Sequence, residues 1–232
     1  MTKIAITGHT SGIGQAVHDM SDLTLDGVND VRGYSKSNGW NIATNDGDDI
    51  IAELIKFDPD VFINNAYYPG VQTKILTTLF EEWKGKPKTI INIGSIAGYQ
   101  PNVNVEPQWS TYGDDKFEQA QFIIVNSFRD GIEHQIRMFN ISFSFVNSPL
   151  LTRSVGMGLN PDRMIDTMDA AEMIMDCMED NGKGYDIVEQ VVQCKVITSE
   201  ELVQNFMTGS RNMAKHVIRS DRAIKKALKS ST

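Results

Sequence analysis

Short apolar runs at Ile4 to Ile6, Val61 to Ile63, Thr89 to Ile93 and Met138 to Phe145 are separated by longer stretches whose apolar residues recur at helical spacing. That alternation constrains the fold more than any other feature of the chain. A strand covered on both faces reads as a continuous apolar run, and parallel neighbours need a long crossover between them, which a helix supplies. The expected architecture is α/β, a doubly wound parallel sheet in three α/β/α layers. Ile13, Ala16, Val17 and Met20 mark a first helix, Asp48 to Phe57 a second closed by Asp58-Pro59, and Val71 to Trp83 a third stopped by Gly85 to Pro87. Further helices are expected at Gly113 to Glu133 and Asp169 to Glu179. Weaker strands are expected at Val31 to Tyr34, at Trp40-Asn41-Ile42 and at Tyr185 to Val192. Segments 99–109 and 149–161, with their Pro, Gly and amide residues, read as loops.

Lys and Arg number 22 against 30 Asp and Glu, and the net charge of −8 argues against a body that grips nucleic acid by neutralising phosphates. The charge is uneven. Residues 194–232 carry eight basic and three acidic side chains, +5, which leaves −13 on residues 1–193. The chain therefore divides into a body, 1–193, and a basic helical extension, 194–232, in which Leu202, Phe206, Met213, Val217, Ile224 and Leu228 suggest one or two helices. Such an arm suits the acidic body of a neighbouring subunit or an anionic partner, and the plain alternative is a solvated helix with a disordered end. Cys177 and Cys194 lie outside any CxxC, and His9, His18, His134 and His216 lack ligand spacing, so reduced thiols and no metal are expected. No apolar stretch has the length of a signal peptide or a membrane span, so a cytoplasmic protein with no membrane contact is expected.

Gly8, Gly12 and Gly14 stand where the first strand feeds the first helix. Glycine there permits positive φ and close backbone approach to a pyrophosphate, which the unpaired amides of the helix start would favour. Spacing alone leaves a structural turn and a dinucleotide site equally open. The wording TGHTSGIG, however, resembles the TGxxxGxG turn of the short-chain dehydrogenases/reductases, with Thr7, Gly8, Gly12 and Gly14 on the matching positions. Tyr112-Gly113-Asp114-Asp115-Lys116 matches that family's YxxxK, Ser95 ends the preceding central strand, and Asn64-Asn65-Ala66 matches the start of NNAG. Ile141 to Pro149 resembles the strand that runs into the nicotinamide loop. The agreement spans roughly residues 3–193 in the family's order.

The resemblance implies a Rossmann-like domain and an oxidoreductase moving hydride between nicotinamide and a small carbonyl or alcohol, with Ser95, Tyr112 and Lys116 catalytic. Four residues apart on a helix, Tyr112 and Lys116 share a face, and a neighbouring ammonium favours a phenolate able to act as acid or base. Ser95 would hold and polarise the substrate oxygen. The cofactor is expected against Gly8, Thr10, Ser11, Gly12, Ile13 and Gly14, then Ser35, Lys36, Asn41, Ile42, Asn65, Ala66, Tyr112, Lys116, Val146 and Ser148. No acid stands at the end of the second strand to accept from a ribose 2′-hydroxyl, whereas Lys36 suits a 2′-phosphate, so NADP(H) is favoured over NAD(H). Ser11, where NADP-dependent members often carry a basic residue, weighs the other way.

Several positions depart from the family pattern. Tyr67 replaces the glycine of NNAG, so the loop is displaced or the ring packs outward. Phe143-Ser144 replaces Pro-Gly, and Ser148 replaces a threonine. The stretch from Asn65 to Ser95 is short and that from Ser95 to Tyr112 is long. The third helix has no asparagine to complete a catalytic tetrad, and Gln72 reads as a poor substitute. Arg153 is a candidate anchor for an acidic substrate, and Met157, Met164, Met168, Met173, Met175 and Met178 suggest a pocket wall or core packing. The family implies a homodimer or homotetramer through the helices at 71–83 and 113–133. The competing reading is a non-catalytic NADP(H)-binding protein with a regulatory or interaction role.

Overall fold

The computed structural model describes residues 2–23, 29–99, 107–129, 135–149, 162, 164–178 and 188–192. The expected basic extension, Arg153 and Met157 lie outside them. Strands β1 (Lys3–Thr7), β2 (Asp30–Tyr34), β3 (Val61–Asn64), β4 (Lys88–Ser95), β5 (Ile136–Phe143) and β6 (Glu189–Val192) form one sheet in the order β2-β1-β3-β4-β5-β6. Every pairing is parallel. The chain runs outward from β1 to β2 and then returns to the other side of β1 for β3. Crossing connections leave a crevice at that reversal, beyond the carboxyl ends of β1 and β3.

Helices α1 (Gly12–Leu23), α2 (Asp48–Phe57), α3 (Val71–Trp83), α4 (Pro107–Arg129) and α5 (Thr167–Asp176) supply the outer layers. Strand side chains alternate in direction, so each strand feeds two cores. Ile4, Ile6, Ile63, Ile91, Phe139 and Ile141 pack with Val17 of α1 and Ile174 of α5. On the opposite face Ala5, Phe62, Ile90 and Met138 pack with Leu54 of α2, Ile75, Leu79 and Trp83 of α3, and Ile123 of α4. The methionines Met173, Met175 and Met178 pack against the first of these cores. Each fully buried aliphatic or aromatic side chain contributes about 2 kcal/mol of transfer free energy, which is why the apolar runs dictate the layering.

Two expectations are corrected. Trp40-Asn41-Ile42 is not a strand. Trp40 N–H donates to the Ser35 carbonyl, Thr44 N–H to that of Asn41, and Gly39 turns the chain with φ of 93°, so local bonds take the groups a ladder would need. The sheet consequently goes straight from β2 to α2. The long helix starts at Pro107 instead of Gly113, so the second half of the expected loop is helical and Tyr112 stands in the second turn of α4. Of the final strand expected at Tyr185 to Val192, residues 185–187 lie outside the described residues, and β6 begins at Glu189.

Candidate active site

The glycine turn lies at the topological reversal. Gly8 has φ of 73° and Gly12 of 58°, conformations that side chains with a Cβ rarely adopt, and the Gly8 N–H donates to the Tyr34 carbonyl at 2.7 Å. Gly14 is constrained by space: a Cβ there would lie 2.4 Å from the Gly8 carbonyl oxygen and 2.6 Å from Asn65 Nδ2. α1 begins within this turn, so its first N–H groups open onto the crevice. Thr7, fully buried, ties the turn to the segment after β3. Its Oγ1 accepts from the N–H groups of Asn65 and Ala66, both at 3.0 Å, and its carbonyl accepts from Asn65 Nδ2 at 2.9 Å. Sequence reading placed Thr7 in the motif without assigning it this bridging role.

The remaining expected cofactor residues gather around this turn unevenly. A Cβ on Gly12 would meet Ser148 Cβ at 3.1 Å, so the segment after β5 arrives beside the glycines. Val146, buried, pairs with Ile165 in an isolated parallel bridge. Thr10 and Ser11 are exposed at the mouth of the turn, and Ile13 is directed into the core beneath it. Past β2, Ser35 is buried with its N–H on Asn38 Oδ1, whereas Lys36 is exposed and makes no ion pair among the described residues. Asn41 Oδ1 accepts from Ala43 N–H, and Ile42 packs against the α2 and α3 core. The ring of His9 covers Gly33 at the end of β2.

Ser95, Tyr112 and Lys116 come together at the carboxyl end of β4. Ser95 Oγ accepts from Ala97 N–H at 3.2 Å and shares a hydrogen bond with the Tyr112 hydroxyl. Burial raises the Tyr112 phenol above its ordinary range, and the Ser95 bond opposes this to a smaller extent. Lys116 Nζ lies 5.6 Å from the Tyr112 ring centre and is itself 3% exposed. It donates to Gln72 Oε1 and to the Ile93 carbonyl, each at 2.6 Å. Removal of this ammonium from water brings it down to about 7, with Asp115 acting weakly in the opposite direction.

Two residues judged unpromising from the sequence prove central to this geometry. Gln72, read as a poor substitute for the tetrad asparagine, is fully buried and is a direct side-chain partner of Lys116. Its Nε2 donates to the Asn64 carbonyl at 2.7 Å, which leaves Oε1 for the lysine. Tyr67 packs inward: its ring meets Tyr112 edge-on at 4.7 Å between centres, Lys116 Nζ lies 5.4 Å from it, and its hydroxyl donates to Asp115 Oδ2 at 2.9 Å. Burial and that carboxylate both raise the Tyr67 phenol, so it stays protonated throughout the neutral range. The only sequence signal for either contact was the departure from the family pattern itself.

The lysine environment has a measurable consequence for stability. Free lysine titrates near 10.4, so between about pH 7 and that value the unfolded chain binds a proton that the folded chain has lost. Stability therefore rises with pH across this window, and below it the fold carries the full burden of a buried ammonium. Lys116→Met removes that burden and leaves Gln72 Oε1 and the Ile93 carbonyl without their donor, a cost that does not depend on pH. The stability of Lys116→Met relative to wild type, followed by denaturation at each pH, is expected to be most favourable at pH 6 and to fall by about 2 kcal/mol by pH 9 as wild type gains stability. A gap that stays constant with pH would place the Lys116 titration elsewhere.

Comparison with known proteins yields structural likeness alone. No family model and no curated sequence matches the chain. The 3-alpha-hydroxysteroid dehydrogenase from Pseudomonas sp. B-0831, solved with NADH, superposes with a TM-score of 0.68 at 17% identity, covering 83% of this chain and 95% of that one. The 3-ketoacyl-(acyl-carrier-protein) reductase from Brucella melitensis, also with NADH, gives 0.61 at 18%, covering 83% and 96%. A short chain dehydrogenase from Burkholderia cenocepacia in complex with NADP gives 0.61 at 12%, covering 99% and 96%. The chain has the fold of the short-chain dehydrogenases/reductases. Among the described residues no helix is long and apolar enough to cross a membrane, and no His, Cys, Asp and Glu cluster could hold a metal ion.

Proposed function

We propose that this chain is a nicotinamide-dependent oxidoreductase of the short-chain type that uses NADP(H) and reduces a small carbonyl to the alcohol. The observation that carries the reading is the convergence of Ser95, Tyr112 and Lys116 at the sheet's carboxyl edge, beside a glycine turn shaped for a pyrophosphate. The cofactor's nicotinamide supplies the hydride when bound. The protein's part is to place the substrate oxygen and to deliver a proton to it. Ser95 holds the oxygen by its hydroxyl, and Tyr112 donates the phenolic proton as negative charge develops there. A phenol kept protonated by burial is an acid at neutral pH, which favours the reductive direction. Lys116, in its ammonium form below about pH 7, supports the tyrosinate left behind.

Lys36, exposed just past β2 and in no ion pair among the described residues, supports the preference for a 2′-phosphate. Lys36→Ala is expected to weaken NADPH binding about tenfold, the loss of one charged hydrogen bond, while NADH binding stays within twofold by calorimetric titration. An equal loss for both cofactors would remove Lys36 from the 2′-phosphate site. Phe117 and Val125, eight residues apart on α4 and 49% and 46% exposed, support a homodimer or homotetramer.

The deciding measurement is NADPH oxidation by the purified protein over a panel of small ketones, aldehydes and oxoacyl thioesters, alongside direct cofactor binding. Turnover of any panel member upholds the enzyme. Tight NADPH binding with no turnover supports the second reading, a non-catalytic NADP(H)-binding protein. The Tyr67 ring, seated on Tyr112 and above Lys116, is what favours that alternative.

A further inference from the structure

A row of buried amides crosses the sheet behind the site. Asn64 on β3 is in register with Asn92 on β4, Asn92 with Asn140 on β5, and Asn140 with Glu189 on β6. The three asparagines are fully buried on the face covered by α3 and α4. Phe62, Ile90 and Met138 on the same face are apolar, whereas Ser142, also buried there, accepts from Asn140 Nδ2 at 2.9 Å and donates to Glu189 Oε1 at 3.3 Å. Asn64 Nδ2 donates to Asn92 Oδ1 at 3.0 Å, Asn92 Nδ2 to Asn140 Oδ1 at 2.7 Å, and Asn140 Nδ2 to the Glu189 carboxylate at 2.9 and 3.1 Å. Gln72 joins the row from α3, its Nε2 reaching Asn92 Oδ1 at 3.5 Å in addition to the Asn64 carbonyl.

The direction of every link agrees with the two ends and with buried Gln119 of α4, whose Oε1 accepts from Asn92 Nδ2 at 3.1 Å and whose Nε2 donates to Thr73 Oγ1 at 3.1 Å. Lys116 can only donate, and an ionised Glu189 can only accept. A carboxylate at β6 requires Asn140 to present its NH₂ outward, so its oxygen faces Asn92, whose oxygen in turn faces Asn64 and Gln72. The amide dipoles therefore align with their negative ends toward the lysine. Asn64 Oδ1 has no hydrogen-bond partner among the described residues, the cost of an orientation imposed from elsewhere in the row. Glu189 also accepts from the Tyr99 hydroxyl at 2.6 Å, which anchors the Ile96–Tyr99 turn that follows Ser95.

We propose that Glu189 is a positioning residue, acting through Asn140, Asn92 and Gln72 to fix the acceptor on which the Lys116 ammonium rests. The proposal rests on the reading of Tyr112 and Lys116 as the proton-transfer pair. The groups around Lys116 that titrate are Tyr112 and Asp115 of α4 and Tyr67 after β3; α3 and β4 face it with Gln72 and the Ile93 carbonyl, both neutral. Tyr99 is the titrating neighbour of Glu189. A glutamine at 189 can present either end to Asn140, so the row loses its fixed end, and Asn92 can turn its NH₂ toward that of Gln72 when the Gln119 amide turns with it against the Thr73 hydroxyl.

The test follows the Lys116 titration in the ligand-free protein by NMR of ¹³Cε-labelled lysine, which needs no turnover. In Glu189→Gln the midpoint is expected to fall, and the pH profile of kcat/KM to move with it, giving about a threefold loss at pH 7 with cofactor affinity unchanged. Glu189→Asp, which keeps the charge, should return the midpoint toward wild type. Tyr99→Phe, which removes the Tyr99 contact of Glu189 and leaves those with Asn140 and Ser142, should leave it in place. Should Glu189→Gln fail to fold, Asn140→Ser, which breaks the link to Asn92 with the carboxylate intact, carries the same expectation. A midpoint unmoved in the folded variant overturns the proposal, whatever the activity. A protein that shows the midpoint shift and reduces no carbonyl retains the linkage and refutes the oxidoreductase reading instead.

Discussion

Tyr112→Phe is expected to lose about three orders of magnitude in carbonyl-dependent NADPH oxidation while binding NADPH within a few-fold of wild type. The figure is that of removing a positioned general acid, whose contribution lies at about 10² to 10⁴. Phenylalanine keeps the ring that meets Tyr67 edge-on at 4.7 Å and lies above Lys116, so packing around the site survives. What disappears is the proton and the hydroxyl that Ser95 contacts. Because burial holds the wild-type phenol above its ordinary value, its titration lies in the alkaline range, and any fall in wild-type reductase activity near pH 7 belongs to Lys116. Steady-state kinetics from pH 6 to 9 with the wild type and the variant separate these contributions. Activity in Tyr112→Phe within tenfold of wild type would falsify the assignment of Tyr112 as the acid.

Gly14→Ala should abolish cofactor binding and destabilise the fold. The added Cβ would lie 2.4 Å from the Gly8 carbonyl oxygen, 2.9 Å from its carbon and 2.6 Å from Asn65 Nδ2. None of these atoms moves cheaply. The Gly8 N–H is held by the Tyr34 carbonyl, and Asn65 Nδ2 by the Thr7 carbonyl at 2.9 Å. Relief requires the turn between β1 and α1 to open, which displaces the N–H groups meant for the pyrophosphate. We expect NADPH affinity to fall at least about a hundredfold and stability by about 1–3 kcal/mol, the range for overpacking a tight site. At about 2–4 °C per kcal/mol for a chain of this size, differential scanning calorimetry resolves the loss. A variant that binds NADPH normally would show that the ligand does not sit on this turn.

Much of the architecture was legible along the chain. α2 and α3 coincide with the periodic stretches Asp48 to Phe57 and Val71 to Trp83, because their apolar faces are complete and their ends carry breakers at Asp58-Pro59 and Gly85 to Pro87. Trp40-Asn41-Ile42 misled for the converse reason. Three apolar or β-favouring residues suggest a strand, yet the backbone groups beside them were already claimed by the Gly39 turn and by Thr44. The start of α4 was missed because the segment before Gly113 has no apolar periodicity to set against its proline and amides.

The sequence by itself determined the alternation of buried strands and amphipathic helices, the glycine turn and the four-residue spacing of Tyr112 and Lys116, since each is written within one short segment. Only the tertiary structure decided what surrounds them. Gln72 on Lys116 spans 44 positions, Tyr67 on Asp115 spans 48, and Asn140 on Glu189 spans 49. Such contacts depend on which strands are neighbours, on their register, and on which face each side chain takes. A one-residue slip in β4 or β5 would have sent Asn92 or Asn140 into the opposite core and left Glu189 with nothing to orient.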